Sequence, residues 1–371
     1  MSSSVLSDAF RTHPLNLNHK VVDLSSVEIL PDSHAWTSEA NKYSSSCGGD
    51  ISRLESIPII NLKDENAMEL IRLACTTWGV FQIVNHNVPK NLVDEVELAG
   101  EKLFSLPMDR KLMAERTPNG VSGYGMARIS SFFSKSMWSE GFTIVGSPLE
   151  HAAKLWPHDY HNFCNTIEEY QKEMKNLASR LMGLILGSLG VTEDDVKWVE
   201  PKGELKERGA ALQLNSYPPC PDPDKAMGMA AHTDSTILNI LHQSNTSGLQ
   251  VFRGDGIGWV TLQPHPGALI VVIGDLMHIL SNGSYLNALH RAVVNQTQHR
   301  LSVVYLHGPP SSVKMGPLPQ LVDSNHPPLY RPITWNEYLG IKAQYFDKAL
   351  TTISLANGFM NADDDDSVKI D

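Results

Sequence analysis

Leu249-Gln-Val-Phe-Arg253, Gly254-Asp-Gly-Ile-Gly258 and Trp259-Val-Thr-Leu-Gln263 read as one unit, two short runs rich in β-branched and aromatic residues around a glycine-rich tip. Alternating side chains fall on opposite faces of an extended chain, and glycine supplies the positive φ that a tight turn needs, so the unit predicts an antiparallel hairpin. The same period runs outward from it in both directions. Further strands are predicted at Ala211–Tyr217, Ile237–Gln243, Ala268–Ile273, Leu289–Asn295 and Leu301–Leu306, with Asn295-Gln-Thr-Gln298 as a second hairpin tip. Many short strands joined by turns, with few helices between them, predict a mainly β architecture: an antiparallel sandwich or barrel, not a doubly wound parallel sheet.

The remaining chain reads as support. Residues 1–56 form an irregular extension, with Ser44-Ser-Ser-Cys-Gly-Gly49 as a flexible loop. Residues 57–205 form a helical N-terminal region. There Ala67, Met68, Ile71, Ala74, Cys75 and Trp78 recur at helical spacing behind an Asp64 cap and stop at Gly79. Phe81–Val84 reads as a buried strand, a second helix runs from about Pro89 to Leu103, and Ile167, Tyr170, Met174, Leu177, Leu181 and Ile185 mark a long amphipathic helix. Residues 206–310 hold the strand-rich core. Residues 311–371 hold a last helix, signalled by Thr334 three residues before Glu337, and an acidic tail, Asp363-Asp-Asp-Asp366.

Composition narrows the function classes. At 371 residues, 42% hydrophobic and 19% charged, the chain has an ordinary globular balance, which excludes wholesale disorder and coiled coil. A net charge of −11 has the wrong sign for gripping phosphate backbones, so no nucleic-acid partner is expected. Cys47, Cys75, Cys164 and Cys220 form no CxxC pair, which fits a reducing compartment, the cytoplasm or the nucleus as well, without structural zinc. The start lacks a secretory pattern, and the apolar stretches Leu181–Leu189 and Ala268–Ile273 are too short to span a bilayer, so no membrane partner is expected. No obligate protein partner is inferred. The 15 histidines, by contrast, invite a search for metal ligands.

That search stops at Ala230-Ala-His-Thr-Asp234. Positions i and i+2 of an extended chain project to one side, so His232 and Asp234 can converge on one metal ion. His290, on a later strand, is the natural third ligand; His278, just after Gly274-Asp-Leu276, is its rival, and Asp275 reads as structural. Two histidines and one carboxylate leave an octahedral ion with open positions, the facial arrangement of non-haem Fe(II) oxygenases. His242, His265, His299 and His307 have no carboxylate two residues away on the same strand face. Arg300 lies across the Asn295–Gln298 tip from His290, so a hairpin there would return the guanidinium to the metal end. It shares a strand face with Ser302, while Leu301, Val303 and Tyr305 take the other face. A planar bidentate donor beside a hydroxyl suits a carboxylate; a surface Arg–Asp pair is the alternative. On Gln213-Leu-Asn-Ser-Tyr217, Gln213, Asn215 and Tyr217 share one face, and Pro218-Pro-Cys-Pro221 ends that strand.

His232-Thr-Asp234, His290, Arg300-Leu-Ser302 and Asn215-Ser-Tyr-Pro-Pro-Cys-Pro221 together resemble the signature of the plant 2-oxoglutarate- and Fe(II)-dependent dioxygenases. The likeness runs from roughly Ile57 to Leu350 and includes Trp78-Gly-Val-Phe-Gln-Ile-Val-Asn-His86. It implies a double-stranded β-helix (jelly roll) with a helical N-terminal region and Fe(II) on His232, Asp234 and His290. It also implies 2-oxoglutarate held at its far carboxylate by Arg300 and Ser302 and steadied by Tyr217 and Asn215, with O2 as oxidant and ascorbate as reductant. A narrower likeness is carried by Leu30-Pro-Asp-Ser-His-Ala-Trp-Thr37, Val121-Ser-Gly-Tyr-Gly-Met-Ala-Arg-Ile-Ser-Ser-Phe-Phe133 and Met137-Trp-Ser-Glu-Gly-Phe-Thr-Ile144, which are similar to the gibberellin 3-oxidases. That implies 3β-hydroxylation of precursor gibberellins to the active hormone, with succinate and CO2 as co-products. A gibberellin is an apolar tetracyclic acid, so Arg128, Phe132, Trp138 and Phe142, with Gln213, are candidate substrate contacts. Ordinary packing for the aromatics and solvent for Arg128 is the alternative. Sister dioxygenases acting on carbon 2 or 20 of gibberellins, or on flavonoids, share the metal motif. A non-catalytic jelly-roll binding protein or a zinc hydrolase needs no co-substrate clamp, and Arg300 with Ser302 argues against both.

Overall fold

Strands that alternate a polar and an apolar face can bury both only between a second sheet and a layer of helices, and the chain takes that solution. A computed structural model describes residues 22–36, 56–118, 120–192, 195–196, 208–310 and 312–355. In chain order the strands are β1 (Ile59–Asn61), β2 (Val80–Val84), β3 (Gly123–Gly125), β4 (Glu140–Ile144), β5 (Arg208–Tyr217), β6 (Met229–His232) and β7 (Leu238–Gln243). They continue as β8 (Leu249–Arg253), β9 (Gly258–Thr261), β10 (Leu269–Ile273), β11 (His290–Ala292), β12 (Arg300–Pro310), β13 (Lys314–Met315) and β14 (Ile333–Thr334). The helices are α1 (Ala67–Thr77), α2 (Lys90–Phe104), α3 (Met108–Leu112), α4 (Leu149–Leu155), α5 (Tyr160–Ser188), α6 (Asp275–Leu280), α7 (Trp335–Tyr345) and α8 (Ala349–Thr352).

An eight-stranded sheet in the order β1-β2-β10-β7-β12-β5-β4-β3 faces a four-stranded sheet in the order β6-β11-β8-β9. From β5 onward the chain passes back and forth between the two, which makes the architecture a double-stranded β-helix with a helical N-terminal region. The outer face of the large sheet buries Leu212, Leu214, Leu301, Val303 and Tyr305 in one cluster with Leu177, Leu181 and Ile185 of α5. Each such leucine contributes ~1.5–3 kcal/mol on full burial. A second apolar cluster, with Trp78, Val251, Leu262 and Ile270, fills one end of the space between the sheets. The other end stays open as the cavity.

Local chemistry sets the boundaries. Gly79 follows α1 at φ +65, and a Cβ there would stand 2.3 Å from the Leu286 carbonyl oxygen, so only glycine fits. The α1 cap differs from expectation: Asn66 occupies it, while the Asp64 carboxylate accepts from Asn61 Nδ2 at 2.6 Å. Thr334 does cap α7, accepting from the Glu337 backbone N–H at 3.3 Å. The β8–β9 hairpin forms with Arg253 opposite Gly258. The second expected hairpin does not form. β11 is flanked on both sides by β6 and β8, and β12 by β5 and β7, so Asn295–Gln298 joins two sheets and not two paired strands.

Residues 22–36 carry only two short 3₁₀ turns, yet they are tied to the body, where Leu24 packs with Trp138 and Cys220. Ser44–Gly49, Cys47 and Asp363–Asp366 lie outside the described residues. Cys75, Cys164 and Cys220 are free and buried. Among the described residues, no helix is long and apolar enough to cross a membrane.

Candidate active site

The two histidines meet because β6 and β11 are neighbours and their register sets His232 opposite His290. Their ring centroids are 4.3 Å apart. Asp234, just beyond β6, places its carboxylate oxygens 3.6 Å from His232 Nε2 and 3.5 Å from His290 Nε2. Among the described residues these three form the group whose donor atoms all lie within 4.8 Å of one another. Each ring is pinned through its other nitrogen: His232 Nδ1 to the Ala230 carbonyl at 2.8 Å and His290 Nδ1 to the Ala288 carbonyl at 2.9 Å. A carbonyl only accepts, so Nδ1 carries the hydrogen and Nε2 keeps the lone pair a metal requires.

Electrostatics prepare the same state. Burial, reinforced by the His290 ring, lowers the His232 pKa to about 4, leaving the imidazole neutral at physiological pH. Burial acts to raise the pKa of Asp234, but His290, His232, the Asn239 hydrogen bond and Lys342 outweigh it and hold the carboxylate ionised. Asn239 Nδ2 donates to Asp234 Oδ2 at 2.6 Å. Two imidazoles, each with its Nε2 lone pair turned to the group, and one carboxylate are a donor set suited to a divalent first-row metal such as Fe(II).

Facing this group across a cavity of about 250 Å³ is the inner face of the large sheet. Arg300 stands opposite Tyr217 and Ser302 opposite Asn215 in the β12–β5 register. The Arg300 guanidinium lies 4.9 Å from the Tyr217 ring centroid, and its Nη2 donates to Gln243 Oε1 at 2.9 Å. At 2% exposure Arg300 is buried, yet its Nε and Nη1, and Gln243 Nε2 beside it, have no hydrogen-bond partner. Burial lowers its pKa, with Tyr217 opposing. A buried cation with unsatisfied donors is expensive unless an anion completes it, and a carboxylate fits that fork. Gly248 makes the room, since a Cβ there would come within 2.9 Å of Arg300 Cδ. Asn215 Nδ2 lies 3.4 Å from Ser302 Oγ.

Arg128 and Gln213 also line the cavity. The aromatic candidates do not. Trp138 is fully buried against Leu24 and Cys220, with its indole N–H on the Pro218 carbonyl at 3.0 Å. Phe142 points to the outer face of β4, into the helix-side core beside His151. Phe132 stacks on Phe346 at 4.7 Å. Core and cavity wall are both apolar, so an aromatic residue in a loop segment does not announce which of the two it joins. His278, the rival ligand, bonds to the Tyr285 carbonyl and the Tyr330 hydroxyl instead, and His242 pairs with Glu97. Asp275 is fully buried and structural, but it reaches the site: its N–H donates to the Asp234 carbonyl at 2.7 Å. Asn239 and Arg116 went unnoticed in the sequence. A polar residue inside the apolar run Ile237-Leu-Asn-Ile-Leu241 was the available signal for Asn239, whereas Arg116 lies between elements, where no period marks it.

A jelly roll with a facial two-histidine, one-carboxylate group and a buried arginine across the cavity defines the class of 2-oxoglutarate- and Fe(II)-dependent oxygenases. Residues 208–309 match the 2OG-Fe(II) oxygenase superfamily, and residues 57–164 match the N-terminal region described as non-haem dioxygenase in morphine synthesis. Gibberellin 3-beta-dioxygenase 1 of Pisum sativum is 52% identical over 97% of both chains, and Gibberellin 3-beta-dioxygenase 1 of Arabidopsis thaliana is 53% identical over 94% of this chain and 98% of its own. The chain belongs to this gibberellin 3-beta-dioxygenase family, within the superfamily that uses Fe(II), 2-oxoglutarate and O2. Among solved structures, JOX2 in complex with 2OG, Fe and JA is similar at TM-score 0.73 and 31% identity, over 86% of this chain and 93% of that one. The dioxygenase for auxin oxidation from rice is similar at TM-score 0.67 and 25% identity, over 81% of this chain and all of that one.

Proposed function

We propose that this chain hydroxylates precursor gibberellins at carbon 3, on the β face, consuming O2 and 2-oxoglutarate and releasing succinate and CO2. The observation that carries the reading is the identity of 52–53% with the gibberellin 3-beta-dioxygenases over nearly the whole chain, on a site whose donors fit the required metal and co-substrate.

In this reading His232, Asp234 and His290 hold Fe(II), and Arg300 with Ser302 holds the far carboxylate of 2-oxoglutarate. When bound, the iron with its co-substrate and O2 supplies the oxidant that inserts one oxygen atom into a substrate C–H bond. The protein's own work is positioning. Tyr217 places its ring against the Arg300 guanidinium, Asn215 orients the Ser302 hydroxyl, and the peptide carbonyls of Ala230 and Ala288 keep both imidazoles turned toward the metal. Apolar walls, including Ile129, Leu241, Val272, Val304 and Leu339, exclude water and suit an apolar polycyclic substrate. Arg128 and Gln213 are its polar contacts. We also assign residues 57–205 to scaffold, residues 206–310 to the metal and co-substrate core, and residues 1–56 and 311–371 to flanking segments. The buried free thiols support a reducing, cytoplasmic setting.

Aerobic incubation with a precursor gibberellin, Fe(II), 2-oxoglutarate and ascorbate, followed by product identification, tests the function. A 3β-hydroxylated product formed with equimolar succinate is expected; oxidation solely at another carbon, or no succinate, would overturn it.

A further inference from the structure

The cavity has a second cationic end, formed by Arg116 and Arg128, both half-buried and both lining the cavity. Arg116 donates through Nη2 to the Met126 carbonyl and through Nη1 to Thr143 Oγ1 at 3.4 Å. Arg128 donates through Nη2 to the Gly120 carbonyl. These acceptors are neutral. Glu140, the carboxylate of β4, is already engaged by Lys111 at 2.5 Å and by the Tyr124 hydroxyl at 2.7 Å. Burial pulls the Arg116 pKa down to about 10, and burial with the neighbouring Arg116 charge pulls Arg128 down to about 9; both guanidiniums stay charged at neutral pH. Two like charges held side by side in a cavity wall repel, and an anion between them relieves that repulsion.

A polar rail connects this end to the co-substrate clamp. Thr143 Oγ1 donates to Gln213 Oε1 at 2.5 Å, Gln213 Nε2 donates to Asn215 Oδ1 at 3.0 Å, and Asn215 Nδ2 reaches Ser302 Oγ at 3.4 Å. The rail crosses adjacent strands through the pairs Thr143–Gln213 and Asn215–Ser302. At about 3.3 Å per residue, Gln213 and the Arg300-facing Tyr217 stand roughly 13 Å apart along β5. The two cationic ends are therefore far enough apart along the sheet to hold separate anions.

We propose that Arg116 and Arg128 form a second anion pole that receives the carboxylate of the substrate, so that the cavity takes two carboxylic acids, the co-substrate at Arg300 and the substrate at Arg116 and Arg128. The proposal rests on the reading of the substrate as a gibberellin acid and adds the group that selects for the free acid. Charge-assisted pairing of this kind changes affinity by about 10- to 100-fold.

The test compares initial rates on a precursor gibberellin and on its methyl ester for the wild-type enzyme, Arg116→Gln, Arg116→Lys and Arg128→Gln. In the wild type, KM for the ester should exceed KM for the acid by about 10- to 100-fold. Arg116→Gln and Arg128→Gln should raise KM for the acid toward that of the ester, leaving KM for 2-oxoglutarate unchanged, and Arg116→Lys should recover part of the preference. An acid-to-ester ratio equal in wild type and variants, or a wild type indifferent to esterification, would overturn the proposal. Should Arg116→Gln fail to fold, shown by its melting curve, Arg128→Gln alone decides. Wild-type enzyme that turns over neither compound, while still binding Fe(II) and 2-oxoglutarate, would overturn the gibberellin reading and this occupant with it, a result visible without any variant.

Discussion

Single side chains at this site are held in orientation by hydrogen-bonding partners. Asn239 is the clearest: it donates to Asp234 Oδ2 at 2.6 Å and accepts from Thr236 Oγ1 at 2.8 Å, so its amide cannot flip without losing both bonds. Asn239→Ala should leave the fold in place and weaken Fe(II) binding by about 10- to 100-fold, the usual cost of removing a residue that orients a metal ligand. Anaerobic Fe(II) titration measures it; an unchanged Kd would show that Asp234 needs no such support. His232, Asp234, His290, Arg300 and Ser302 were legible because strand alternation is a local rule that fixes which side chains share a face. The aromatic candidates Phe132, Trp138 and Phe142 pack outside the cavity lining, and that rule is silent about which apolar face meets a cavity.

At the level of elements, α7 braces the loop that carries the metal ligands. Lys342 Nζ donates to Thr233 Oγ1 at 2.6 Å, between His232 and Asp234, and to Asp275 Oδ2 at 2.7 Å. The Trp335 indole N–H donates to the Ser235 carbonyl at 2.6 Å. The Trp335 ring lies so close over the backbone that a Cβ on Gly209 would stand 1.8 Å from it. Lys342→Met removes the cation from a carboxylate that is wholly buried and should cost about 3–5 kcal/mol of stability, with weaker Fe(II) retention. Chemical denaturation checks the first part, and an unchanged midpoint would refute it. The sequence shows α7 through its capping box, since caps are local, but the reach of Lys342 across 109 positions to Thr233 depends on tertiary packing alone. The same distinction explains the missing hairpin: the turn at Asn295–Gln298 is real, and its choice between pairing two strands and joining two sheets is made by distant neighbours.

For the molecule as a whole, the site is shared between the two sheets: the candidate metal ligands come from the small one and its loop, and the arginine clamp comes from the large one. Ligands that bridge both should therefore stiffen the sandwich. At a hundred times their Kd, Fe(II) with 2-oxoglutarate should add about 2.7 kcal/mol and raise Tm by a few degrees, more than Fe(II) alone. Equal melting curves with and without the co-substrate would mean that the sheets are not linked through it. The most direct test of the shared site is an anaerobic optical titration of the intact chain with Fe(II) and 2-oxoglutarate. A weak visible charge-transfer band is expected only when both are present, saturating at one of each per chain and absent in His232→Ala and in Arg300→Leu at the same concentrations. A band that forms without 2-oxoglutarate, or one that survives both substitutions, would contradict the assignment of these residues to a single iron and co-substrate site.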